Sequence, residues 1–151
     1  MKLEINDIYP LIRVKTPSEV DFYKEHKLVI DSNGYVWFCR FGRNNMKFES
    51  LKNCKPIIFI KETGDITKGL YLAKYDRFSS VPPDETHTIP SYYNEIIQKP
   101  SIWFRVTEIN QFEIMQLNSS FVGNTSGGNV QDILRSMCPA FFVKCINEVS
   151  L

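Results

Sequence analysis

Short apolar runs recur along this chain, separated by turn residues and never by the long amphipathic helices that parallel crossovers require. Leu11-Ile12-Arg13-Val14-Lys15 alternates with the two-residue period of a strand. Strand character returns at Leu28-Val29-Ile30, at Tyr35-Val36-Trp37-Phe38-Cys39, at Pro56-Ile57-Ile58-Phe59-Ile60, and over residues 69–75, 102–109 and 140–146. Between the first two of these stands Asp31-Ser32-Asn33-Gly34, whose Asn-Gly pair supplies the positive φ of a tight hairpin turn. Six or seven strands without βαβα alternation predict an α+β chain: a curved mixed sheet or small barrel with two or three short helices.

The helices announce themselves by their ends. Thr16-Pro17-Ser18-Glu19 has the form of a helix start, with Thr16 capping orphan amides, Pro17 at the first helical position and Glu19 closing a capping box. Val20 and Tyr23 then share a face, and this helix is expected to reach about His26. A helical turn is expected over residues 46–51, and a further short element over 112–117. Val130, Ile133, Leu134 and Met137 fall at i, i+3, i+4 and i+7, predicting a helix that Pro139 stops. Residues 79–100 break the pattern with four prolines (Pro82, Pro83, Pro90 and Pro100), with Asp84 and Glu85, and with the pair Tyr92-Tyr93. An irregular segment of that length in a small domain is more often functional or mobile than architectural.

At 151 residues the chain fits one domain, with 79–100 as an insertion inside it. A chain of this size buries enough surface to fold without a metal or disulfide staple. Its 43% hydrophobic and 23% charged residues exclude a disordered tail. No apolar run is long enough for a membrane helix, and Met1-Lys2-Leu3-Glu4 does not open a signal peptide, so a cytoplasmic protein without a membrane partner is expected. Cys39, Cys54, Cys138 and Cys145 show no CxxC spacing and stand away from His26 and His87. Reduced thiols are therefore expected, with no metal site and no cofactor. The net charge of +1 excludes polyanion binding by total charge but leaves local patches open.

Signatures of catalysis are missing: there is no GxSxG, HExxH, Walker loop or dinucleotide fingerprint. The informative stretch is basic. From Asn33 to Lys61 six cations (Arg40, Arg43, Lys47, Lys52, Lys55 and Lys61) face Glu49 alone, and the loop Arg40-Phe41-Gly42-Arg43-Asn44-Asn45 directly follows Trp37-Phe38. Guanidinium groups grip phosphates through paired hydrogen bonds, and adjacent rings stack on unpaired bases. The same stretch also reads as a solvated rim beside a core strand with Trp37 packed inside. Tyr71 and Tyr75 share one strand face with Ala73 between them, which leaves room for a flat ring, although strand aromatics are core by default. Ser126-Gly127-Gly128-Asn129 precedes a helix; its amides suit an anion, and Ser126 or Asn129 equally suits a plain N-cap.

In order, these pieces resemble the PUA-like superfamily, specifically its EVE and YTH domains. Ile12-Arg13-Val14-Lys15-Thr16-Pro17 followed by a helix ending Lys24-Glu25-His26 is similar to the EVE opening of strand, polar turn and helix. Tyr35-Val36-Trp37-Phe38 with Arg40, Arg43 and Asn44 resembles the family's Trp-containing strand and its Arg/Asn turn. Lys68-Gly69-Leu70-Tyr71 resembles a strand that begins at a glycine, and 102–109 a later strand ending in a Val/Thr-Glu-Ile step. Ser126 to Phe142 falls where those domains carry a Ser-containing turn and a closing helix. The chain departs from the pattern at Asn53-Cys54-Lys55, where EVE domains carry a Gly-Asp step. The resemblance covers roughly residues 10 to 145. It implies a five- or six-stranded barrel whose mouth receives a flipped or single-stranded base, often a methylated one, in an aromatic cage.

The expected function is a nucleic-acid-binding module that reads a modified or flipped base. Its candidate site residues are Trp37, Arg40, Arg43, Asn44, Tyr71, Tyr75 and Ser126, with the 79–100 insertion as a lid. The alternatives from other classes are a protein-interaction or regulatory domain and a small hydrolase.

Overall fold

A computed structural model describes residues 1–43, 46–64, 68–136 and 138–151. In chain order its elements are β1 (Lys2–Leu3), β2 (Ile8–Val14), α1 (Phe22–Asn33), β3 (Val36–Phe41), α2 (Phe48–Leu51), β4 (Ile57–Glu62) and β5 (Leu70–Ser79). Two 3₁₀ turns follow, Thr86–Thr88 and Ser91–Glu95, and then β6 (Pro100–Phe112), α3 (Ile114–Ser120), β7 (Phe121–Gly123), α4 (Val130–Arg135), β8 (Ala140–Cys145) and β9 (Val149–Ser150). The fold is α+β, a mixed seven-stranded sheet in the order β3-β6-β5-β4-β2-β8-β7 with a small β1-β9 sheet beside it. Among the described residues β2 and β4 pair in parallel and the other ladders are antiparallel.

Alternation along each strand sorts the side chains into two cores, as a period of two demands. Ile12, Phe38, Ile58, Ile60, Tyr71, Ala73, Tyr75 and Phe104 point to one face, where α1 and Leu51 of α2 cover them. Leu11, Phe59, Leu72, Val143 and Cys145 point to the other, under Leu117, Phe121, Val130 and the β1-β9 pair. Register shifts at Arg40/Phe41 and around Tyr75 curl the sheet about the first core. The curl brings β2 and β3 close to each other. No ladder joins them among the described residues, so the sheet is curved and open there rather than a closed barrel.

Two local expectations give way to longer-range packing. The helix starts not at Thr16 but at Phe22, capped by Asp21, whose side chain accepts from the Lys24 amide at 3.0 Å. Pro17 instead begins a turn closed by the Val20 amide on its carbonyl. Leu28-Val29-Ile30 is no strand: Phe22, His26 and Ile30, four apart, bury one stripe of a single helix, and Leu28 is 53% exposed. Gly34 then serves as a left-handed C-cap at φ 83°, its amide donating to Ile30 at 2.7 Å. A hairpin turn and a helix C-cap both need positive φ, and for that reason the Asn-Gly pair reads as either.

Residues 79–100 pack against the β3 side of the sheet. Tyr92 and Tyr93 join Trp37, Cys39 and Trp103 in a third buried cluster, on the outer face of β3 and β6. Hydrogen bonds hold this segment from both sides: the Tyr35 hydroxyl donates to Glu85, Asn33 donates to the His87 carbonyl, and the Gly42 amide donates to that of Lys99.

Candidate functional site

The gap between β2 and β3 holds a cleft of about 90 Å³. Its walls come from the end of β2 (Arg13, Val14, Lys15, Thr16), the start of α1 (Phe22), the edge strand β3 (Phe38, Cys39, Arg40, Phe41) and the insertion (Tyr92, Tyr93, Ile96, Gln98). Local sequence explains why rings and charges meet here. Phe38 and Arg40 follow the inward alternation of β3 while Phe41 follows the outward one, and the register shift at Arg40/Phe41 opens the strand end. Phe22 stands at the first helical position of α1, because the cap falls on Asp21.

Aromatic edges and faces are already in contact around this cleft. Phe41 meets Tyr93 edge-on at 5.1 Å, Phe22 meets Phe38 at 6.1 Å, and Tyr92 meets Tyr93 at 5.0 Å and 90°. These rings give the cleft an apolar aromatic wall. Arg13, Lys15 and Arg40 supply positive charge around the same space. Arg40 is only 4% exposed, and burial lowers the hold of its guanidinium on the proton, yet a guanidinium remains charged at neutral pH.

Tyr93 is fixed by a chain of hydrogen bonds whose direction follows from their ends. His26 Nδ1 lies 2.9 Å from the Phe22 carbonyl, which only accepts, so Nδ1 carries the proton. Burial pushes the His26 pKa down to about 4, so the ring is neutral and Nε2 offers a lone pair. The Tyr93 hydroxyl donates to that Nε2 at 2.8 Å and accepts from the Cys39 amide at 3.1 Å. The amide belongs to the open edge of β3, so a side chain of the insertion completes a sheet edge. Burial holds the Tyr93 hydroxyl well above the ordinary tyrosine range and raises the Cys39 thiol to about 12.

The residues singled out in the sequence are dispersed. Arg40 lines the cleft. Arg43 is exposed just beyond β3, and Asn44 lies outside the described residues, as does Met137 of the last helical stripe. Trp37 points to the outer face, 9% exposed, under the insertion and beside Arg77, Glu85 and Arg105. Tyr71 is stacked on Phe22 at 5.1 Å and donates to Glu62 at 2.9 Å. Tyr75 packs edge-on against Phe104. Both tyrosines are core, and the alternation that puts them on one face points that face at α1 and α2 rather than at a pocket. Ser126 sits in the turn before α4 and accepts from the Gly128 amide, while Asn129 is the N-cap that accepts from Gln131 and Asp132. Of the described members of this group, Arg40 alone lines the cleft.

Arg13, Lys15 and Phe41 escape a reading of the sequence by motif. Their signal is two cations interrupting an apolar strand, which marks the place where β2 leaves the core. Among the described residues no group of three or more His, Cys, Asp or Glu could hold a metal ion, and no helix is long and apolar enough to cross a membrane. All four cysteines are free. Comparisons of the chain with protein-family models, with curated proteins and with solved structures found no match.

Proposed function

We propose that this chain is a nucleic-acid-binding module that takes one unstacked base, natural or modified, into the cleft between β2 and β3. The observation that carries the reading is the meeting of five rings (Phe22, Phe38, Phe41, Tyr92 and Tyr93) with three basic residues (Arg13, Lys15 and Arg40) around one small cleft. Rings bind the faces of a base or its methyl group by contact and exclusion of water, and cations bind the phosphates that accompany it. At ~10–15 Å³ of such space per water molecule, 90 Å³ holds roughly six waters, the room of a single heterocycle. The resemblance to EVE and YTH domains of the PUA-like superfamily agrees with this reading, with the base at the open seam of a curled sheet. The cytoplasm, where nucleic acid and reduced thiols coexist, is the compartment that suits it.

Fluorescence anisotropy with a single-stranded decamer, its duplex and an abasic decamer of equal length tests the proposal. The base-bearing single strand should bind more tightly than the abasic one, with affinity falling as salt rises. Equal binding of the two single strands removes the base from the reading. If no oligonucleotide binds, natural or methylated, a protein-interaction role takes precedence. A specific feature favours that alternative: the open groove of about 660 Å³ lined by Leu28, Val29, Ile89 and Pro90 between α1 and the 3₁₀ turns.

A further inference from the structure

The parallel pairing of β2 with β4 sets Arg13 directly opposite Lys61. Paired residues on neighbouring strands leave the sheet on one face, so two cations stand side by side, an arrangement that is destabilising unless negative charge or solvent intervenes. Glu62, the next residue of β4, offsets the Lys61 charge in part without forming an ion pair with it. Its carboxylate points to the other face, where it accepts the Tyr71 hydroxyl at 2.9 Å and lies 4.0 Å from the Lys68 ammonium. Lys61 donates instead to the carbonyls of Glu62 and Lys68, both at 2.9 Å, and Arg13 to those of Leu134 and Ser136 at 2.6 and 2.7 Å. Neutral carbonyls hold the two side chains in place without cancelling their charge, and two bonds leave the Lys61 ammonium one further proton to donate.

A third cation closes the group. Arg135 ends α4 with 72% of its side chain exposed, paired among the described residues with the equally exposed Asp132 at 3.4 Å, a contact too weak to fix it. Together with Glu62, Thr63, Gly64 and Leu134 these three cations line a hollow of about 350 Å³, three positive side chains against one carboxylate. Burial lowers the hold of the Lys61 ammonium on its proton; the Glu62 carboxylate opposes this and the neighbouring Arg13 charge adds to it. Arg13 also lines the aromatic cleft, so hollow and cleft adjoin.

We infer that the hollow of Arg13, Lys61 and Arg135 is a phosphate site, seating a phosphodiester beside the base held in the cleft. The inference rests on reading the cleft as a base site. Guanidinium forks and an ammonium point charge are the donor set that recognises phosphate oxygens, and no base edge is needed for it. Free phosphate or a nucleotide offers the same chemistry, so the experiment separates the sources.

Salt titrations with the single-stranded and abasic decamers are run on the wild type, Lys61→Gln and Arg135→Glu, with circular dichroism and thermal melts confirming the fold. Arg135→Glu changes an exposed side chain and keeps the test available should Lys61→Gln unfold. Each variant should bind both decamers several-fold more weakly, and each lost contact should flatten the salt dependence by about 0.7 in the log–log slope. Phe41→Ala, in contrast, should weaken only the base-bearing strand. Unchanged affinity and slope for both variants, in a protein that binds the decamers, overturn the phosphate site and leave the base cleft standing. Where neither decamer binds the wild type, the reading of the cleft fails, and inorganic phosphate and pyrophosphate become the probes. Amide shifts at Thr63 and Gly64 that vanish in Arg135→Glu support a site for free phosphate, whereas their absence overturns it.

Discussion

Tyr93 and His26 meet at 2.8 Å, hydroxyl to Nε2, although 67 residues separate them in the chain. With the Cys39 amide on the same oxygen, the contact ties α1, the edge of β3 and the insertion at one buried point. Removing only the oxygen, by Tyr93→Phe, leaves the His26 lone pair and the Cys39 amide without partners. Each buried unsatisfied group costs about 1–3 kcal/mol, so a loss of roughly 2–6 kcal/mol is expected for the two. Urea denaturation measures it, and a loss under ~0.5 kcal/mol would show that the bonds are not made.

Burial of the same histidine makes stability depend on pH. His26 ionises near 6.5 in the unfolded chain but only near 4 in the folded one, so between those values the unfolded state binds the extra proton. The full contribution is therefore present above about pH 6.5 and declines as pH falls towards 4, to a total of roughly 3 kcal/mol. Denaturation at pH 7.5 and pH 5.0 samples most of this window before carboxylates protonate. The difference should shrink in His26→Gln; an equal slope in that variant assigns the effect to other groups.

Where α1 begins is directly measurable. Asp21→Ala removes the acceptor of the Lys24 amide and should cost about 1 kcal/mol. Gly34→Ala forces a side chain into φ 83°, and although no atom lies within 4 Å of the added Cβ, strain of about 1 kcal/mol is expected. Glu19→Ala, which would damage a capping box at Thr16, should change stability by less than ~0.5 kcal/mol. A larger effect of Glu19 than of Asp21 moves the helix start back to Thr16.

Trp37 and Phe41 lie on the same face of β3 with different consequences. Trp37→Ala opens a cavity beneath the insertion and should cost about 3–5 kcal/mol, with binding altered only through the fold. Phe41→Ala, at the half-buried strand end, should reduce base-dependent binding while most of the folded stability survives. Base-dependent binding that drops in a fully folded Trp37→Ala would transfer the site to the outer face.

Much of the architecture is legible in the residues. The alternating runs at 11–15, 35–39, 56–60, 69–75, 102–109 and 140–146 all lie in or overlap strands, and Asn129 and the stripe after it mark α4. Helix α1 was harder, because Thr16-Pro17-Ser18-Glu19 satisfies every local rule for a helix start. What decides the observed start is the cap itself: Asp21 accepts the Lys24 amide, while Pro17 is taken up in a separate turn closed by the Val20 amide. The candidate site was legible only in part. Arg40 stands out beside Trp37-Phe38, whereas Arg13, Lys15 and Phe41 stand inside segments whose residue types assign them no site role.

By itself the sequence determines an α+β chain of short strands, the faces on which its apolar residues gather, and a basic segment that near-neutral net charge conceals. The tertiary structure decides which strands become neighbours, and with that which charges and rings share a space. The reason is physical: a period of two specifies the face of a side chain but not the strand beside it. The seam between β2 and β3, the seat of Tyr93 on an open sheet edge and the pairing of Arg13 with Lys61 all arise from contacts distant in sequence. The aromatic excess does not divide between core and site: all twenty rings lie in or pack against the three cores, and five of them also line the gap between β2 and β3.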